Sequence, residues 1–194
     1  MNSTHRYLIC ITGPLLSRDQ EVAEELAQRL EKGKVVACHT LFPQAKTLPD
    51  LQHLTIEEIG TILDEFPQEY IIVYGDNILA LESMRKLASL RIYVDANELD
   101  IASDVLQNVK ISNKKENLRG ESLSVNVQKI LQENSEHIEE EVSSTKKFAD
   151  IVIDANEEPK EAVFSVERYV LRTDTRKSPK QMSSDERKKR IDEM

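Results

Sequence analysis

Hydrophobic positions along the chain fall into short runs separated by amphipathic stretches. Arg6-Tyr7-Leu8-Ile9-Cys10-Ile11-Thr12 is nearly continuously apolar, the pattern of a central strand buried on both faces. It stops at Gly13-Pro14. Residues 18–32 then place Val22, Leu26 and Leu30, with Ala23 and Ala27, on one helical stripe, and Gly33 stands where a helix usually ends. Val35-Val36-Ala37-Cys38 predicts a second buried strand, Tyr70-Ile71-Ile72-Val73-Tyr74 a third, Arg91-Ile92-Tyr93-Val94-Asp95 a fourth and Ile151-Val152-Ile153 a fifth. Between them, residues 41–54 hold Pro43 and Pro49 and read as loop. Thr55 followed three residues on by Glu58 is a capping box opening a short helix. Residues 79–90 read as a helix. Another begins near Glu98, and a long one covers about 121–143 after the polar stretch 112–117. Pro159 opens a last helix or strand running to Val170.

Strands alternating with helices predict βαβ units, hence a three-layer α/β domain. Its parallel sheet has about five strands, with helices on both faces. The domain is expected over residues 1–171, with a charged, flexible tail over 172–194. Ligands of such sheets sit beyond the carboxyl ends of the strands. Function is therefore sought at residues 12–20, 39–42, 74–77 and 95–97.

Charge narrows the partners. The chain carries 26 basic and 35 acidic residues, a formal net charge of −9, which argues against DNA. The tail is locally basic, at about +3, and ends near Arg187-Lys188-Lys189-Arg190, whose interspersed acids favour a solvated helix. No apolar stretch approaches the roughly 18 residues of a membrane span. Cys10 and Cys38 both fall inside apolar runs without ligand spacing, and no leader pattern is visible. Two buried thiols in that setting predict a reducing, cytoplasmic location and no metal site.

The turn after the first strand carries the candidate chemistry. A phosphate-binding loop belongs there, with the pattern G-x-x-x-x-G-K-[ST]: amides cradle the phosphates, Lys reaches the terminal ones and the hydroxyl holds Mg²⁺. The eight residues present are Gly13-Pro14-Leu15-Leu16-Ser17-Arg18-Asp19-Gln20. Arg18 replaces the second glycine and is expected to resist glycine-like backbone angles. Asp19 places a carboxylate at the Lys position, and Gln20 replaces the metal-ligating hydroxyl. Ser17 with Gln20 reads instead as a capping box, with Asp19 and Glu21 complementing the helix dipole. No cofactor is therefore predicted.

Further motifs give a family resemblance. Arg119-Gly120-Glu121-Ser122, then Ser144-Thr145-Lys146-Lys147-Phe148-Ala149-Asp150-Ile151-Val152-Ile153, resembles the R-G-R-S and P-[ST]-K-[KR]-[YF]-A-D-I-I-I-P stretches of the uridine kinase family. That family is close to the phosphoribulokinase-type proteins. Ile72-Val73-Tyr74-Gly75, Ile78-Leu79-Ala80-Leu81 and Ile92-Tyr93-Val94-Asp95 resemble its third strand, E-G-I-L-A turn and fourth strand. The resemblance covers residues 6 to about 170 and implies a P-loop NTPase-type fold. It also implies that Thr40 stands where the family has its catalytic Asp and Tyr74 where it has a Glu. Lys110, Lys114 and Arg119 would be retained phosphate-clamping lid residues, while Glu121 stands where an Arg is usual. The segment between Phe42 and Tyr70 is too short for the family's nucleoside-binding hairpin.

Phosphoryl transfer depends almost wholly on positioning and charge, so these joint changes predict a pseudoenzyme. Such a protein would act through a protein partner, a homo-oligomer as the resemblance implies, or a bound nucleoside. The alternative is a divergent nucleoside or small-molecule kinase holding Mg-ATP through Arg18 and the lid residues. Two further candidates have plainer readings. His39 with Asp76 could be a base and its orienter, but both read as surface residues. Glu136 and Glu139-Glu140-Glu141 read as a solvated helix face.

Overall fold

The computed structural model describes residues 6–14, 18–44, 48–96 and 142–174. The expected helices beyond Glu98 and over 121–141, the lid residues Lys110, Lys114 and Arg119, Glu121 and the tail from 175 onward lie outside these. Five strands form one all-parallel sheet: β1 Tyr7–Thr12, β2 Gly33–Ala37, β3 Tyr70–Tyr74, β4 Leu90–Asp95 and β5 Ile151–Asp154. They lie side by side in the order β2-β3-β1-β4-β5. The most continuously apolar run in the sequence, β1, is thus central, pairing with β3 through Ile9↔Ile72 and with β4 through Ile11↔Ile92.

Alternation along β1 builds the two cores. Tyr7, Ile9 and Ile11 pack with Val22, Ala23 and Leu26 of α1 (Asp19–Arg29) and with Val163, Val166 and Val170 of a C-terminal helix. Leu8 and Cys10 face the opposite layer. That layer is made by short helices α2 (Cys38–Leu41), α3 (Leu48–Gln52), α4 (Ile56–Leu63) and α5 (Glu82–Leu87), with Ile59, Leu63, Leu79 and Met84 buried among them. The C-terminal helix, α6, covers Pro159–Thr173, with Pro159 at its first turn as proline prefers. Helices therefore cover both faces of the sheet, and the loop between β1 and α1 opens at the carboxyl end of its middle strand. This is the expected three-layer α/β fold around an all-parallel five-stranded sheet. Among the described residues no helix is long and apolar enough to cross a membrane.

Several local expectations are met and others are corrected. Thr55 caps α4 as a reciprocal capping box, its Oγ1 accepting from Glu58 N at 3.2 Å while Glu58 Oε2 accepts from Thr55 N at 2.8 Å. Gly33 does not end α1. The positive-φ turn there is made by Glu31 at φ 54°, and Gly33 already belongs to β2. It is glycine because a Cβ would lie 2.8 Å from Ala27 Cα, where β2 crosses α1. Cys38 is the first residue of α2 and not the last of a strand, since the backbone turns helical after Ala37. The segment read as loop contains α3. The helix expected over 79–90 is a 3-10 turn, Ile78–Ala80, followed by the shorter α5, because Leu90 is taken into β4.

The stretch 144–150 ties β5 to β4. The Asp150 carboxylate accepts from Arg91 Nε at 2.9 Å, from Nη2 at 2.6 Å and from the Arg91 backbone N at 2.9 Å. These bonds hold its carboxyl below the usual carboxylate range. Lys146 Nζ donates to Asp95 at 2.6 Å, and the Phe148 ring lies 4.1 Å from the Arg85 guanidinium. Because the Asp150 pair is about one-third exposed, Asp150→Ala should cost only about 1–2 kcal/mol in urea unfolding. Part of that loss should disappear in high salt.

Candidate functional site

The carboxyl end of β1 is held by one side chain. Thr12 is fully buried, and its Oγ1 faces the carbonyl oxygens of Gly75 at 2.8 Å and Asp76 at 2.6 Å, sharing one proton between them. Gly13 and Pro14 follow and are buried. Ser17 lies outside the described residues, and the expected Ser17–Gln20 capping box with it. Helix α1 begins at Asp19, and its N-cap is Arg18, which makes no side-chain capping bond.

Arg18 also overturns the expectation placed on it. Its backbone is left-handed, at φ 65° and ψ 20°, a conformation that costs a non-glycine residue roughly 1–2 kcal/mol. The backbone here thus makes a glycine-like turn while carrying an arginine side chain. That side chain is engaged: Arg18 Nη2 pairs with Glu21 at 2.7 Å, and Nη1 reaches the Ala155 carbonyl at 3.5 Å. Removing the strain should outweigh losing this exposed pair, so Arg18→Gly is expected to be neutral or stabilising by up to about 1 kcal/mol. Gln20→Gly, one residue into the helix, should instead cost about 1 kcal/mol. Thermal melts of the two variants would read the opposite signs.

Asp19 sits in an unusual environment for a carboxylate. It is partly buried, and burial pushes its carboxyl up to about 6, with the Asp76 carboxylate adding to the rise. A hydrogen bond from Gln20 N at 2.9 Å partly opposes this. Gln20 itself is exposed, with its amide donating to Glu24 at 2.8 Å. Behind them, Tyr74 at the end of β3 has its phenol raised by burial and then by the Asp19 and Glu24 carboxylates.

The two positions where the resemblance expects acidic residues do come together. Thr40 on α2 and Tyr74 on β3 both line a cleft of about 430 Å³, shared with Glu24 of α1, Lys34–Ala37 of β2, His39 and Phe66. Neither brings a carboxylate. His39 is exposed and makes no hydrogen bond to Asp76, so the base–orienter pair is not assembled. Among the described residues, no three His, Cys, Asp or Glu side chains are grouped so as to hold a metal ion. Both thiols are buried; burial raises Cys10 well above its ordinary value and pushes Cys38 up to about 12. Lys34, Glu24 and Phe66 were not singled out from sequence, because an exposed charge on a strand or helix face carries no signal of the cleft it borders.

No protein-family model matches the sequence, and no curated protein matches it by sequence. Among solved structures, APE1195 superposes with a TM-score of 0.56 at 16% identity, over 86% of this chain and 96% of that one. An uncharacterized protein from Eubacterium ventriosum gives a TM-score of 0.53 at 14% identity, over 85% of this chain and 98% of that one. Shikimate kinase from Acinetobacter baumannii, solved with shikimate, gives 0.49 at 14% identity, over 87% and 95%. The likeness to the first two is one of fold, and the third adds nothing to it.

Proposed function

We propose that this chain is a uridine-kinase-like pseudoenzyme, which has lost ATP binding and phosphoryl transfer. It acts in the cytoplasm through a bound ligand, a protein partner or a second copy of itself. The observation that carries this reading is Asp19. A partly buried carboxylate, with Asp76 contributing further negative charge, stands where such a loop has the lysine that would meet a triphosphate. Like charges at contact distance there cost several kcal/mol at an effective dielectric of about 20. The donor set does not fit Mg-ATP in other respects either. The metal-ligating hydroxyl is Gln20, Arg18 is held by Glu21, and Thr40 and Tyr74 supply no general base. No catalytic step is derived through the nucleotide.

The divergent-kinase reading keeps one point in its favour, the glycine-like backbone at Arg18. Titration of the full chain with Mg-ATP, by calorimetry and thermal shift, separates the two. The expected result at millimolar nucleotide is no heat and no change in Tm. A ligand at a hundred times its Kd would add about 2.7 kcal/mol of stability. A clear rise in Tm that is lost in Arg18→Ala would overturn the pseudoenzyme reading and leave Arg18 as a phosphate ligand.

A further inference from the structure

The cleft beside β2 carries two opposite charges that do not neutralise one another. Glu24 and Lys34 both line it, yet they form no ion pair, so their charged atoms stand more than 4.0 Å apart. The contact recorded for Glu24 is the uncharged Gln20 amide, and Lys34 has no ion pair with any described residue. The elements that carry them, α1 and β2, pack together where Gly33 lies against Ala27. The same cleft is lined by the apolar Phe66, Val35, Val36 and Ala37 and by Tyr74. Thr40, His39 and the Tyr74 hydroxyl add hydrogen-bonding groups. The volume, about 430 Å³, lies within the range of small-molecule sites.

This combination selects a class of ligand. A singly charged molecule would cover the opposite charge and desolvate it without a partner, which costs free energy. A molecule with both charges and an apolar body satisfies the cleft. We propose that the cleft binds a small zwitterion with an aromatic or apolar body, of the kind of a free α-amino acid. Lys34 pairs with its carboxylate, Glu24 with its ammonium, and Phe66 and Tyr74 flank the side chain. The proposal rests on the preceding reading, because the loop next to the cleft is taken to hold no triphosphate.

Calorimetry with three probes that share a ring and chain tests it: L-phenylalanine, phenethylamine, which carries only the cation, and 3-phenylpropanoate, which carries only the anion. L-Phenylalanine should bind at least about fivefold more tightly than either, the worth of one ion pair of about 1 kcal/mol. Lys34→Met should weaken L-phenylalanine about fivefold and leave phenethylamine binding as tightly or more tightly. Glu24→Gln should weaken L-phenylalanine equally and leave 3-phenylpropanoate binding as tightly or more tightly. Both side chains are exposed, so an unchanged Tm will confirm that the variants fold. No binding of L-phenylalanine at tens of millimolar, equal binding of a singly charged probe, or variants that bind like the parent would overturn the proposal. Mg-ATP titrated into the same protein keeps the two failures apart. Stabilisation by ATP sinks the pseudoenzyme reading, whereas silence from both ATP and L-phenylalanine sinks only the zwitterion site.

Discussion

Asp19→Asn should stabilise the protein by up to about 3 kcal/mol above pH 6, and the gain should vanish below pH 4. Each pKa unit corresponds to about 1.4 kcal/mol, and the Asp19 carboxyl rises on folding from 3.8 to about 6. The folded state therefore holds this proton more tightly than the unfolded chain does. Stability contributed by the neutral form is fully present below the unfolded value and is lost as pH rises to about 6. Asparagine stays neutral throughout and can still accept from Gln20 N through Oδ1. Water reaching the side chain reduces the figure. Urea unfolding of parent and variant at pH 4, 5, 6 and 7 isolates the residue, because Asp150 and Glu58, whose carboxyls are held low, contribute with the opposite slope in both proteins. A constant difference across this range would show that Asp19 titrates as an ordinary surface carboxylate.

Gly75→Ala should cost more than most core truncations of similar size, roughly 2–6 kcal/mol in thermal or urea unfolding. Two effects add. Gly75 has φ +149°, where L-residues are strained by about 1–3 kcal/mol. Its new Cβ would also stand 2.9 Å from Cys38 Cβ, and overpacking of that kind costs about 1–3 kcal/mol. Cys38→Gly in the same chain removes the second effect and leaves the first, so a double-mutant cycle should recover only part of the loss. The position matters because Gly75 joins β3 to the end of β1. Its N donates to the Ile11 carbonyl at 3.1 Å, and its own carbonyl accepts from Thr12.

The sheet was legible because β1 and β3 are almost unbroken apolar runs and β4 is apolar but for Arg91 and Asp95, and such runs can be read without tertiary knowledge. Edge strands were harder. β2 is half exposed and begins at a glycine, so its true start at Gly33 was hidden by the familiar sense of glycine after a helix. That residue is set by a contact with Ala27, on a helix packed against the strand, and no local pattern reports it. Arg18 was misread for a related reason: intrinsic preference disfavours its left-handed turn, and the surrounding fold imposes it. At the site, the identity of Asp19 was visible at once. Its partial burial, and the approach of Glu24, Lys34 and Tyr74 around one cleft, needed the three-dimensional arrangement.

The Lys146–Asp150 stretch has a consequence for how chains of this kind are counted. It is the most distinctive piece of the resemblance, and each of its prominent side chains is occupied inside the protein: Lys146 with Asp95, Phe148 with Arg85, Asp150 with Arg91. These residues hold two strands together whether or not a phosphoryl group is ever moved. A census of kinases drawn up on that signature would therefore enrol scaffolds together with catalysts. On the function proposed above, the residue on which to sort them is the one after the left-handed turn, Asp19 in this chain.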